Sequence, residues 1–254
     1  MRSTASPDLA DRARAWYRAA HAAVCDVSEP WEHGTVVRAT RFPDYFDFNM
    51  VRVEGDPAMS AAALALFADE ALAGLPHRRI DFEQAEVGEP LRPGFAALGW
   101  MTERLAWMHH ETAPPAGPDV VVKEVPYEAV HDLRVAWHFE DFPGHDPRNY
   151  FAEAREVAAL RGARVLAVHE AGAPIAFAEL LRDGESAEVS QVYVLPEHRG
   201  RGLGTATTRA AMEAAGEARD LWIVADDAGR PKELYARLGF RPIWAVVMTL
   251  RLPG

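Results

Sequence analysis

Between Val192 and Thr205 the chain reads Val-Tyr-Val-Leu-Pro-Glu-His-Arg-Gly-Arg-Gly-Leu-Gly-Thr. An apolar, β-rich run ends at Pro196, and a basic, glycine-rich turn then leads into a helix whose pattern starts near Leu203. Gly200, Gly202 and Gly204 carry no Cβ, so the backbone there can take positive φ and turn its N–H groups outward. With the positive end of the following helix, those donors make a socket for phosphate oxygens. Arg199 and Arg201 add positive charge on either side of the first glycine. The cofactor-binding stretch is therefore read as Val192, Tyr193, Val194, Arg199, Gly200, Arg201, Gly202, Leu203, Gly204 and Thr205, and its ligand as a pyrophosphate. Two common phosphate loops do not fit. A P-loop needs Gly-Lys-Ser/Thr at its end, and Gly204-Thr205 lacks the lysine; a dinucleotide fold needs G-x-G-x-x-G after the first strand of a βαβ unit.

Arg199-Gly-Arg-Gly-Leu-Gly204 resembles the Q/R-x-x-G-x-G/A acetyl-CoA signature of the GNAT acyltransferase superfamily, down to the strand ending Val194-Leu-Pro-Glu197 before it. Glu233-Leu-Tyr235-Ala-Arg-Leu-Gly239-Phe240 is similar to the superfamily's second landmark, L-Y-x-x-x-G-F, in the expected order and separation. The resemblance covers residues 119–254. It implies acetyl-CoA as co-substrate and transfer of its acetyl group to a primary amine; the alternative is a CoA- or acyl-CoA-binding sensor without turnover.

Composition bounds the setting. The 254 residues suffice for two modest domains, and the lone Cys25 forms no internal disulfide. The N-terminus lacks the apolar core of a signal peptide, and no apolar run reaches membrane-spanning length, so a cytoplasmic enzyme without membrane contact is expected. The net charge of −11 argues against nucleic acid and favours a neutral or cationic acceptor, either a small molecule or a peptide amine. A homodimer stays open. No metal is expected: His109-His110-Glu111 looks like a ligand cluster, but neighbouring strand residues face opposite sides.

Residues 119–254 parse as β-α-α-β-β-β-α-β-α-β. The pattern predicts strands at 120–125, 164–169, 175–181, 187–194, 221–225 and 243–250, and helices at 127–137, 149–160, 203–218 and 231–238. That is the GNAT order, an α/β (α+β) fold with a mixed, mostly antiparallel sheet flanked by helices. Residues before it contain an echo: an Ala/Leu helix at 60–73, a strand at 78–82 and a long aromatic strand at 101–109. Where the cradle belongs, this copy reads Arg52-Val-Glu-Gly-Asp-Pro-Ala-Met59, whose acids repel a pyrophosphate. Residues 1–117 are therefore read as a degenerate GNAT-like domain without a cofactor site, and 118–254 as the catalytic domain, joined through the Pro/Gly-rich stretch 113–118. The alternative is an unrelated α+β domain.

Acyl transfer from a thioester to an amine needs a neutral amine, a stabilised oxyanion and a proton for the thiolate. The resemblance implies Tyr235 as proton donor, with an alkaline limb in the rate profile reporting its ionisation; a core tyrosine is the alternative. It implies a strand glutamate as base. Glu188 is the first candidate, since an even spacing puts it on the strand face of Val194, and Glu179 is the second. Glu188 could instead sit on a solvated face. Relatives carry an asparagine seven residues before the tyrosine, where this chain has Ala228, and often a small residue at the position of Pro231, so pantetheine contacts fall to backbone or to Asp226 and Asp227. Glu140 and Asp141, read as part of a loop at 138–148, are candidates to meet a cationic amine.

Overall fold

The computed structural model describes residues 7–114 and 116–253. Its first half runs α1 (Pro7–Val24), β1 (Val27–Trp31), β2 (Gly34–Arg38), β3 (Met50–Val53), α2 (Ala61–Ala71), β4 (Arg78–Phe82), α3 (Ala85–Gly88), α4 (Arg92–Ala97) and β5 (Met101–His110). Its second half runs β6 (Lys123–Val125), α5 (His131–Asp141), α6 (Arg148–Leu160), β7 (Arg164–Glu170), β8 (Ala173–Asp183) and β9 (Ser186–Val194). α7 (Leu203–Ala215), β10 (Asp220–Asp226), α8 (Arg230–Arg237) and β11 (Phe240–Arg251) follow. The order in residues 119–253 is the one the pattern predicts. One boundary moves with consequence for the site. The first helix of this half begins as a 3-10 turn at Tyr127–Val130 and continues as α5 to Asp141. No breaker precedes Pro143, so His138–Asp141 form its last turn rather than a loop.

All strands join one 11-stranded sheet in the order β1-β2-β3-β4-β11-β5-β10-β9-β8-β7-β6. Apart from the edge strand β6, which adds antiparallel to β7, the order is symmetrical about the β11–β5 pair. Each half contributes a three-strand antiparallel meander, a helical crossover and a parallel fourth strand, β3 with β4 and β9 with β10. The last strand of each half has crossed to the other. β5 lies antiparallel to β10, with Leu105 opposite Asp226, and β11 lies antiparallel to β4, with Thr249 opposite Ile80. The exchanged strands also pair with each other, Leu105 opposite Val246. No cut near residue 117 separates two sheets.

Two helices reinforce the exchange. α1 crosses onto the second half, where Arg12 pairs with Asp220 at 3.1 Å and the Trp16 indole donates to Glu188 at 2.7 Å. α6 reaches back, its Glu153 accepting the backbone N–H groups of Asp44 and Tyr45 at 2.8 Å each. Trp16, Trp107, Trp222 and Trp244, drawn from both halves, share one buried cluster on the α1 face. Val189, Ile223 and Tyr235 pack with α7 on the opposite face. Gly239, at φ +95°, follows α8 where an added Cβ would lie 1.9 Å from the Thr112 carbonyl oxygen. Only glycine lets the chain leaving β5 pass so close to the α8–β11 turn.

A fragment beginning at Pro118 strips β11 of both its neighbours, β4 and β5, and β10 of β5. It is expected to aggregate or lose its cooperative melt, because unpaired apolar strand edges are exposed. Size-exclusion chromatography and circular dichroism check this, and a soluble, cooperatively folded fragment would refute the role given to the exchange.

Candidate active site

β9 and β10 pair in parallel only from Ser186–Asp220 to Val189–Ile223. Beyond that they diverge, β9 running on to Val194 and β10 to Asp226. A cavity of about 940 Å³ opens at this split. The divergence has a local origin. Against β8, Glu179 stands opposite Ser190 but Phe177 opposite Tyr193, so one extra residue is inserted in β9, where Gln191 takes φ +48°. A bulge of this kind bends its strand and inverts the alternation of side chains.

The glycine turn forms one wall. Gly200 and Gly202 adopt φ +78° and +76°, and Gly202 is the N-cap of α7 with no side-chain cap. The first N–H groups of α7 are therefore left for a ligand, as a pyrophosphate requires. Gly204 differs from the expectation: it is an ordinary helical residue whose Cβ would meet Leu234 and Val194 at 3.5 and 3.6 Å. The equivalent helix of the first half is closed. Ser60 caps α2 by accepting the Ala63 N–H, and Asp56 takes the N–H of Ala58 at 2.8 Å.

Val192, Tyr193, Val194, Arg199, Leu203 and Thr205 line the cavity together with Gly200, Gly202 and Gly204. Arg201 is not among the lining residues; its guanidinium meets Glu170 at 2.6 Å and His198 at 2.7 Å. Arg199 carries a carboxylate as well, donating to Glu140 at 2.7 and 3.0 Å. The Tyr193 hydroxyl donates to the same carboxylate at 2.5 Å. Burial alone would raise the Glu140 pKa, but these donors outweigh it and hold the group below its ordinary range.

Tyr235 lines the cavity from α8, is 5 % exposed, and its hydroxyl has no hydrogen-bond partner among the described residues. Burial pushes its phenol well above the ordinary value. Glu188 is elsewhere. The bulge at Gln191 breaks the even spacing, so Glu188 and Val194 face opposite sides of the sheet, contrary to the expectation. Glu188 stands in the paired part of β9, opposite Trp222, outside the residues lining the cavity. Burial raises its pKa, with Arg161 and the Trp16 hydrogen bond acting against that. Glu179 is buried and bound to Arg134 at 2.8 Å. Asp227 is held by Arg104 at 2.7 Å and by Lys232, whereas Asp226 and Pro231 reach the cavity. Sequence reasoning missed Glu103 and Leu105, which line the cavity from β5; the acid opening an otherwise aromatic strand was the only signal.

Residues 161–242 match the family model described as the acetyltransferase (GNAT) domain. The matched stretch, from the end of α6 into β11, is similar to a GNAT domain. No curated protein matches the chain. Among solved structures, a conserved protein of unknown function from Staphylococcus epidermidis superposes with a TM-score of 0.68 at 16 % identity, covering 89 % of this chain and 93 % of that one. A GCN5-related N-acetyltransferase from Kribbella flavida gives 0.61 at 18 %, covering 98 % and 97 %, and a GNAT-family protein from Novosphingobium aromaticivorans gives 0.56 at 19 %, covering 90 % and 91 %. At these identities the likeness is one of fold, and it extends over both halves. Among the described residues, no helix is long and apolar enough to cross a membrane.

Gly202→Asp puts a carboxylate at the glycine turn, facing the uncapped end of α7. Acetyl-CoA binding measured by calorimetry should be lost while the circular dichroism spectrum is kept; unchanged affinity would remove the cradle from the site.

Proposed function

We propose that the chain is an N-acyltransferase that moves the acetyl group of acetyl-CoA to a primary amine inside the split between β9 and β10. The observation that carries this reading is the pairing, in one cavity, of an uncapped helix N-terminus behind two left-handed glycines with the unpartnered hydroxyl of Tyr235. Bound acetyl-CoA supplies an activated acyl carbon as a thioester. Residues 118–253 hold it, through the N–H groups of the Gly200–Thr205 turn. Residues 1–117 bind no CoA, because Ser60 already closes the corresponding helix.

The amine nitrogen, neutral when it reacts, forms a bond to the thioester carbon; the carbon–sulfur bond then breaks, the thiolate takes a proton, and the proton the nitrogen sheds on becoming an amide passes through solvent in the cavity and restores the donor. Tyr235 gives the thiolate its proton. Its raised pKa keeps the phenol protonated throughout the neutral and mildly alkaline range, as a donor requires. The sign matters for kinetics. A phenol raised above its ordinary value of about 10 is still protonated where an unperturbed one begins to ionise, so the alkaline limb does not report Tyr235. Glu188 is given a linking role between β9 and α1 rather than the base.

Tyr235→Phe keeps the ring that packs in the core and removes the hydroxyl. Turnover should fall by about 10²–10⁴, the usual worth of a positioned general acid, with acetyl-CoA affinity little changed. Thiol release over an amine panel, beside calorimetry with acetyl-CoA, measures both. Wild-type turnover in this variant would return Tyr235 to a packing role, and acetyl-CoA binding without release for any amine would favour a sensor.

A further inference from the structure

The exchanged strand carries a first-half residue into the second half's cavity. β5 pairs with β10 so that Leu105 faces Asp226, the last residue of β10. Glu103, two residues earlier on β5, therefore sits just past the end of β10, on the same strand face as Leu105 and Trp107. Asp141 comes to the same region from the end of α5. Glu103, Asp141 and Asp226 all line the cavity, and Glu103 lies within electrostatic reach of both others.

Glu103 has no hydrogen bond or ion pair to any described residue, although it is only partly exposed. Burial and the neighbouring Asp141 and Asp226 raise its pKa, against weaker effects of Arg79 and Arg92. A carboxylate placed so is costly unless a donor meets it. The lining arginines do not supply one: Arg199 is held by Glu140, and Arg230 and Arg237 belong to the α8 wall. Tyr235, more than nine-tenths buried and with no partner for its hydroxyl among the described residues, lines the same cavity and is a second polar group there that a ligand would satisfy.

The reacting nitrogen must be neutral, so a carboxylate trio is poorly suited to hold it. The trio suits a second nitrogen that stays protonated. We propose that the cavity accepts amines bearing a second cationic nitrogen, and that Glu103, delivered by the exchanged strand, binds that distal charge together with Asp141 and Asp226. This rests on the acetyl-transfer reading for the reaction, but not for the binding.

The test compares diaminobutane with butylamine by calorimetry on the CoA-saturated protein, wild type and Glu103→Gln, with Asp141→Asn as a second variant. Because Glu103 bonds to no described residue, its amide variant should fold normally. Wild type should bind the diamine about tenfold or more tightly than the monoamine. Glu103→Gln should weaken the diamine about 10–100-fold, the worth of hydrogen bonds to a charged group, and leave butylamine nearly unchanged. In thiol-release kinetics the loss should fall on KM for the diamine, with kcat retained. Equal wild-type affinity for the two amines, or an unaltered diamine affinity in Glu103→Gln, overturns the proposal. If no amine releases thiol, the transfer reading fails, while the calorimetric comparison still decides whether Glu103 binds the second charge.

Discussion

The pairing of β5 with β11 is the constraint on which the rest of the molecule depends. Each half ends in a long apolar strand, and each of those strands completes the sheet of the other half. Burying both strands between β4 and β10 removes two edges that would otherwise invite association. The hydrogen bonds of the exchange also fix where β5 stops relative to β10. That register puts Leu105 and Glu103 into the cavity of a half to which they do not belong in sequence. Packing and function are therefore not separable by domain. The first half is part of the site's wall even though Ser60 caps its helix that corresponds to α7.

The contrast between the halves comes down to two helix N-termini. α7 starts behind Gly202, a residue with no side chain to offer, and leaves its leading N–H groups unsatisfied. α2 starts at Ser60, whose hydroxyl accepts the N–H of Ala63. A capped helix of this kind is more stable by about 1 kcal/mol, whereas an uncapped one keeps its donors for an anion. The same crossover between parallel strands is thus closed by its own cap in one half and left open in the other. The bulge at Gln191 completes the difference, because it turns the end of β9 away from β10 and opens the split. In the first half, β3 ends at Val53, still in register with Phe82 of β4.

Local signals were legible in the sequence. The turn at Gly200 and Gly202, the hairpins after Glu170 and Asp183, the stop at Gly239 and the helix that carries Tyr235 depend on residues close in the chain, and the structure places them as the pattern predicts. Pairing partners were not legible. Met101–His110 and Phe240–Arg251 read as equally apolar strands, and nothing in either says which neighbour it takes. A single inserted residue in β9 was also invisible, and it carried Glu188 to the face opposite Val194. Glu140 failed for a different reason. Its charge was readable, but it was read into a loop where the structure continues α5, and the hydrogen bonds from Tyr193 and Arg199 that occupy it come from residues more than fifty positions away.

One asymmetry is proposed to decide binding: of two similar crossovers, the uncapped one takes acetyl-CoA and the capped one does not. Hydrogen–deuterium exchange with and without acetyl-CoA tests it at the amides concerned. Protection on binding should appear at residues 200–205, where α7 begins, and be absent at 56–63, where Ser60 and Asp56 already engage the backbone. Protection at 56–63, or none at 200–205, would contradict it.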